Sequence, residues 1–168
     1  GATILRPSVV FGPEDDFFNK FASIARFAPM LPLIGGGETR FQPVYVGDVA
    51  EAVAKVVEGA TKSGTTYELG GPEILTFKQL MEFVLATIER KRLLVPVPFF
   101  AAKVKAGFLQ FMPKPLLTPD QVELLRSDNV VSAEAAAHQF TLLGLGLTPA
   151  SLCDILPPYL WRFLKTGQ

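Results

Sequence analysis

Cysteine is almost missing from this sequence of 168 residues, where Cys153 stands alone. No internal disulfide and no four-cysteine zinc site can form, and the usage fits a reducing compartment. Histidine is as scarce: His138 has no second histidine or cysteine at ligand spacing, so no metal site is expected. Neither sign of charge is in excess, because 16 Lys and Arg balance 16 Asp and Glu. That leaves no global field to attract a nucleic acid, and none is expected as a partner. No run approaches the roughly 18 uninterrupted apolar residues of a membrane-spanning helix. The first residues also lack the basic, apolar and small-residue order of a signal peptide, so the expected location is cytoplasmic.

Apolar residues are plentiful. A hydrophobic share of 49% with 14 Phe is enough for a substantial core, and the length suits one domain or slightly more. Thr3-Ile4-Leu5 and Ser8-Val9-Val10-Phe11 are apolar without alternating, the pattern of a strand covered on both faces in a parallel sheet. Gly12-Pro13 ends it and Asp15 or Asp16 is placed to cap a helix. In that helix Phe17, Phe18, Phe21, Ile24, Ala25 and Ala28 share a face until Pro29 and Pro32 stop it. Gly35-Gly36-Gly37 reads as a turn, and Phe41 to Val46 as a short strand whose Pro43 puts it at an edge.

Gly47-Asp48 opens a helix with Val49, Val53, Val56 and Val57 as its stripe and Gly59 at its end. Gly64 to Leu69 is a strand. Thr76 caps a helix that turns Phe77, Leu80, Met81, Val84 and Ile88 inward and finishes in the solvated Glu89-Arg90-Lys91-Arg92. Strand and helix alternate, which is the α/β class. Beyond Leu93, Val95-Pro96-Val97-Pro98 is extended, Phe99 to Met112 is an almost wholly apolar helix, Pro119 starts a short one, residues 127–147 are loop-like, and a helical tail breaks at Pro157-Pro158. The apolar helix is either buried or lies in a membrane interface with Lys103 and Lys105 reaching to the headgroups.

Three stretches, TILRPSVVFGP, FQPVYVGDVAEAV and YELGGPEILTFKQLMEFV, resemble in order and spacing the second half of an extended or atypical short-chain dehydrogenase/reductase of the NAD-dependent epimerase/dehydratase superfamily. RPSVVFGPEDDFFNKFA and LPLIGGGETRFQPVYVGDVA are similar to the NAD(P)H-binding accessory subunit of respiratory complex I and its bacterial relatives. The resemblance implies the C-terminal part of a Rossmann-like doubly wound sheet plus a small α/β substrate-side domain. Residues 1–92 would hold the last Rossmann strand and helices interleaved with substrate-side strands, and residues 93–168 a mostly helical C-terminal region. It also implies a chain that begins partway through the fold, because the glycine fingerprint that cradles a pyrophosphate is not in it. The family's catalytic Tyr and Lys stand four residues apart, whereas Tyr45, Tyr67 and Tyr159 are followed at that distance by Val49, Gly71 and Phe163. No catalytic residue is therefore assigned.

By the same resemblance, Pro7, Ser8 and Val9 adjoin the nicotinamide of NAD or NADP, although Val9 stands where epimerases have Asn. Read as structure alone, Pro7 and Gly12-Pro13 only end a strand. Phe11, Arg40, Gln42 and Tyr45 are the substrate-pocket candidates, with packing and edge polarity as the other reading of Gln42 and Tyr45. Arg40 is one residue away from the family's diphosphate-gripping arginine, whose place Phe41 takes, and one residue in a strand changes the face. That argues against a nucleotide-sugar substrate. Asp48 is expected to cap its helix, Glu14-Asp15-Asp16 to be solvated, Cys153 to fill core space, and Gly144-Leu145-Gly146 to be no dinucleotide motif.

The function so implied is a complex-I-associated subunit that holds a nucleotide structurally, with an active NAD(P)-dependent epimerase, dehydratase or reductase as the rival and a non-catalytic interaction module as the third reading. Partners would be the missing N-terminal half, complex I subunits or a membrane surface, with a peripheral place on the inner membrane. An unpaired apolar edge at Thr3 to Val10 would favour a homodimer. The chain by itself is expected to bind no dinucleotide.

Overall fold

The computed structural model describes residues 1–109 and 119–165. In chain order the elements are β1 (Ile4–Pro7), β2 (Val10–Phe11), α1 (Phe17–Phe27), β3 (Met30–Ile34), β4 (Arg40–Phe41), β5 (Val44–Tyr45), α2 (Val46–Val57), β6 (Thr66–Leu69), β7 (Leu75–Thr76), α3 (Phe77–Thr87), β8 (Leu93–Val97), α4 (Phe99–Leu109), α5 (Pro119–Leu124), α6 (Ala133–Ala137) and α7 (Leu152–Leu160). The class is α/β with parallel strand pairs, as expected. Two compact units share the chain, one built from residues 1–15, 41–74 and 129–159, the other from 16–40, 75–128 and 160–168. Each draws on residues from both sides of position 92.

In the first unit β1 runs parallel to β6, with Arg6 opposite Glu68 and Pro7 opposite Leu69. β2 runs parallel to β5, with Phe11 opposite Tyr45. Val44, Ala52, Tyr67, Leu69, Leu142 and Leu145 form the core, and Leu5, Val10, Val49, Phe140 and Leu147 pack on it. The strand expected to be covered on both faces is not: Ile4, Arg6 and Pro7 are exposed, because the one ladder neighbour of β1 among the described residues is β6. The expected Phe41-to-Val46 strand is split in two around Gln42 and Pro43.

The valine stripe of α2 also differs from expectation. Ala52 is the helix's buried residue, whereas Val53 and Val57 are 47% and 82% exposed. Residues 127–147 are not simply loop, since the Ser132 hydroxyl accepts from Ala135 N–H and so starts α6. α7 runs through Pro157 and Pro158 instead of breaking. Two backbone donors are lost there, but Leu152, Leu156 and Tyr159 are buried on one side, and the Tyr159 hydroxyl donates to Asp15 Oδ2 at 2.6 Å. Cys153 is exposed, not core.

In the second unit α1 buries Phe18, Phe21, Ala22 and Ala25 and ends where Ala28 turns extended ahead of Pro29. Thr76 and Gln79 form a reciprocal capping box: Thr76 Oγ1 accepts from Gln79 N–H at 3.2 Å, and Thr76 N–H donates to Gln79 Oε1 at 2.8 Å. The expected inward set of α3, Phe77 through Ile88, is fully buried, and the Phe77 ring meets Phe21 edge-on at 5.4 Å. β3, unexpected because of Pro32, pairs in parallel with β8 with Pro32 opposite Val95 and Leu33 opposite Pro96. A two-stranded ladder leaves each proline an outer side where no donor is needed. The glycine turn that follows has φ of 64°, 78° and 82°, which only glycine adopts at little cost.

Candidate functional site

The first unit places Ser8 and Val9 between β1 and β2, at the carboxyl end of β1, where open parallel sheets present ligand sites. Ser8 N–H donates to Leu69 O at 2.9 Å, and Val9 O accepts from Val44 N–H at 2.9 Å. The Ser8 side chain is nine-tenths buried; its hydroxyl donates to Asn129 O at 2.6 Å and accepts from Gln42 N–H at 3.3 Å.

Gln42 completes this polar knot. Its Nε2 donates to Gly71 O at 2.8 Å, its Oε1 accepts from Val131 N–H at 2.9 Å, and its own N–H also reaches Asn129 O at 3.1 Å. Close approach explains the glycine pair: a Cβ on Gly71 would sit 1.9 Å from Pro43 O, and one on Gly70 would sit 2.5 Å from Gln42 Cδ. Both ends of the Gln42 amide are thus engaged by main-chain groups inside the unit.

The other candidates divide. Phe11 is fully buried and its ring centre lies 5.9 Å from that of half-buried Tyr45. Arg40 belongs to the second unit, where its Nε and Nη2 reach Asp128 Oδ2 at 2.8 and 2.7 Å and its N–H donates to Asp128 Oδ1 at 2.8 Å. The Arg40 N–H, followed by its guanidinium, holds the Asp128 carboxyl below its ordinary value. Asp48 is no helix cap: α2 starts two residues before it, and its Oδ2 accepts from Ala150 N–H at 2.8 Å. Asp15 does not cap α1 either; its Oδ2 takes the Gly12 N–H at 3.4 Å besides the Tyr159 hydroxyl.

Sequence reasoning missed Asn129 and Val131, which act through their main chain, and backbone partners leave no residue-type signal. It also missed Asp128, though Ser-Asp-Asn ahead of an Ala-rich stretch is a turn-and-cap signature. Among the described residues no cluster of His, Cys, Asp and Glu could hold a metal.

The Ser8 hydroxyl and amide and the Val9 carbonyl are thus all engaged inside the unit. Residues 1–70 match the family model described as the NAD dependent epimerase/dehydratase family. Those 70 residues are similar to that family, and the match does not extend over the rest of the chain. The chain is 39% identical, over 99% of its length, to the mitochondrial NADH dehydrogenase (ubiquinone) 1 alpha subcomplex subunit 9 of Arabidopsis thaliana, of which it covers 43%. It is 31% identical over 96% of its length to the mitochondrial 40 kDa subunit of NADH-ubiquinone oxidoreductase of Neurospora crassa, covering 41% of it. The chain thus spans about two fifths of those relatives. Its fold matches, with a TM-score of 0.61 at 19% identity, the dTDP-glucose 4,6-dehydratase of Streptomyces venezuelae solved with NAD bound, over 96% of this chain and 42% of that one.

Proposed function

We propose that this chain supplies the C-terminal part of an NAD(P)-binding, short-chain-dehydrogenase-like subunit associated with respiratory complex I, in which the nucleotide is held for structure. The observation that carries the reading is the likeness to a complex I subunit over 99% of the chain. Pro7, Ser8 and Val9 are the residues assigned to the nicotinamide side, with Ser8 acting as the tie that fixes the loop. The dinucleotide supplies charge and rigidity to the subunit rather than a hydride. Phe11, Gln42 and Tyr45 are read as wall rather than chemistry, since Gln42 is spent on main-chain groups. A peripheral location on the inner membrane accords with the absence, among the described residues, of any helix long and apolar enough to cross a bilayer.

The test is twofold. Nucleotide released from the purified full-length protein is identified by chromatography, and membranes of the host lacking the gene are run on native gels. Bound NAD(P)(H) together with loss or destabilisation of complex I supports the reading. An intact complex I without the protein, or catalytic turnover of a sugar nucleotide, overturns it.

A further inference from the structure

One corner of the second unit brings together the end of α1, the start of β3 and the passage from α3 into β8. Met30 and Leu93 are register partners, and Leu93 N–H donates to Pro29 O at 3.3 Å. Three large apolar side chains are left in water there: Phe27 at 81% exposure, Leu93 at 70% and Met30 at 49%. Scattered apolar residues are ordinary, but three on adjoining segments make a patch.

Cations surround it. The Arg26 guanidinium lies 5.5 Å from the centre of the Phe27 ring. Arg92 Nε donates to Ala25 O at 2.8 Å and Arg90 Nε to Phe163 O at 3.1 Å. Arg92 Nη1 also donates to Lys91 O at 3.1 Å, so these bonds hold both side chains while leaving the remaining donors of each five-donor fork for an anion. Lys91 stands exposed between them. The turn that delivers them passes through Glu89 at φ 53°, a left-handed conformation uncommon outside glycine, and is held by Arg90 N–H donating to Leu85 O at 3.0 Å. Beside it opens a cleft of about 600 Å³ whose apolar floor includes Leu85 and Leu94 and whose wall includes Arg90, Lys91 and Arg92. Glu82 and Glu89 also line the cleft, against the three cations Arg90, Lys91 and Arg92, so its lining is basic by one charge, and Arg26 adds a further cation beside Phe27.

We infer that this corner is a docking surface for an anionic phospholipid bilayer, with Phe27, Met30 and Leu93 entering the interface and Arg26, Arg90, Lys91 and Arg92 meeting the phosphates. Protruding apolar side chains ringed by basic ones are what such a surface selects. The surface is independent of the nucleotide reading. It is also not the apolar helix singled out in the sequence, because α4 begins beyond the other end of β8, and five residues of strand span roughly 16 Å.

Co-sedimentation of the full-length protein with vesicles of phosphatidylcholine, with and without phosphatidylglycerol, tests it. Binding is expected only with the anionic lipid and should weaken with salt. One cation near an anionic leaflet is worth about fivefold in affinity, so Lys91→Glu should lose at least that much. Phe27→Ser should weaken binding while Lys103→Glu leaves it unchanged, with thermal melts by circular dichroism confirming that each variant is folded. Equal binding to neutral vesicles, indifference to both Lys91→Glu and Phe27→Ser, or displacement by millimolar inorganic phosphate as at a single anion site would overturn it. Equally tight binding to polyglutamate would assign the corner to an acidic protein instead.

Discussion

The Ser8 hydroxyl donates to the main-chain oxygen of Asn129 across 121 positions of sequence, at 2.6 Å. Gln42 N–H meets the same oxygen, so Ser8→Ala leaves that acceptor occupied. Gln42→Leu, in contrast, strands both Gly71 O and Val131 N–H. Urea unfolding should show about 1 kcal/mol lost for Ser8→Ala and at least about 2 kcal/mol for Gln42→Leu. The reverse order would mean the amide is not the centre of the knot.

Two glycines of unlike kind should answer alanine differently. Gly71→Ala sets a methyl 1.9 Å from Pro43 O, a clash with main chain that cannot swing away. Gly36→Ala meets nothing within 4 Å and carries only the strain of φ 78°. About 1 kcal/mol is expected for Gly36→Ala, and several-fold more, or failure to fold, for Gly71→Ala. Thermal melts of the two proteins decide it.

Thr76→Ala removes the acceptor for Gln79 N–H from the helix that carries the second unit's core, and should cost about 1 kcal/mol by the same measurement. Thr76→Ser, which keeps the oxygen, should restore most of it.

On α2, Val57→Ser should fall within about 0.5 kcal/mol of the parent, because the side chain is in water. Ala52→Leu should destabilise by about 1–3 kcal/mol through overpacking among Val44, Leu69 and Leu142. A costly Val57→Ser in the full-length protein would reveal a partner covering that face.

Asp128 supplies a pH dependence. Its folded value lies below the unfolded one, so its stabilisation is fully present above about pH 4 and is lost as the pH falls through the depressed folded value. The ion pair is half in water, which keeps the effect to about 0.5 kcal/mol. The stability difference between parent and Asp128→Asn should therefore shrink on acidification below pH 4, as read from unfolding curves across that range.

What could be read from the sequence was what local chemistry decides. α3 was legible because a capping threonine, a 3.6-residue apolar period and a charged end agree with one another. α2 was misread because its valines are spaced as a stripe although the neighbouring Ala52 is the residue that fits the close approach to the first unit's core. Asp48 looked like a cap by position, but its partner, Ala150 N–H, is 102 residues away. β3 was hidden by Pro32, whose meaning depends on whether a neighbour lies on its donor side. In the candidate site, Ser8 and Gln42 could be singled out, but the main-chain groups of Asn129, Val131 and Gly71 that fix them could not, since any residue type can supply a carbonyl or an amide.

The interleaving of the two units governs how the protein is made. The first cannot close until residues 129–159 have been synthesised, and the second waits for residue 160 and beyond. When residue 100 has been delivered, both units are still unfinished, each with apolar strand and helix faces bare. Long-range closure of this kind slows folding and lengthens exposure to aggregation. The nascent chain is accordingly a natural client for chaperones, whatever the finished protein goes on to do.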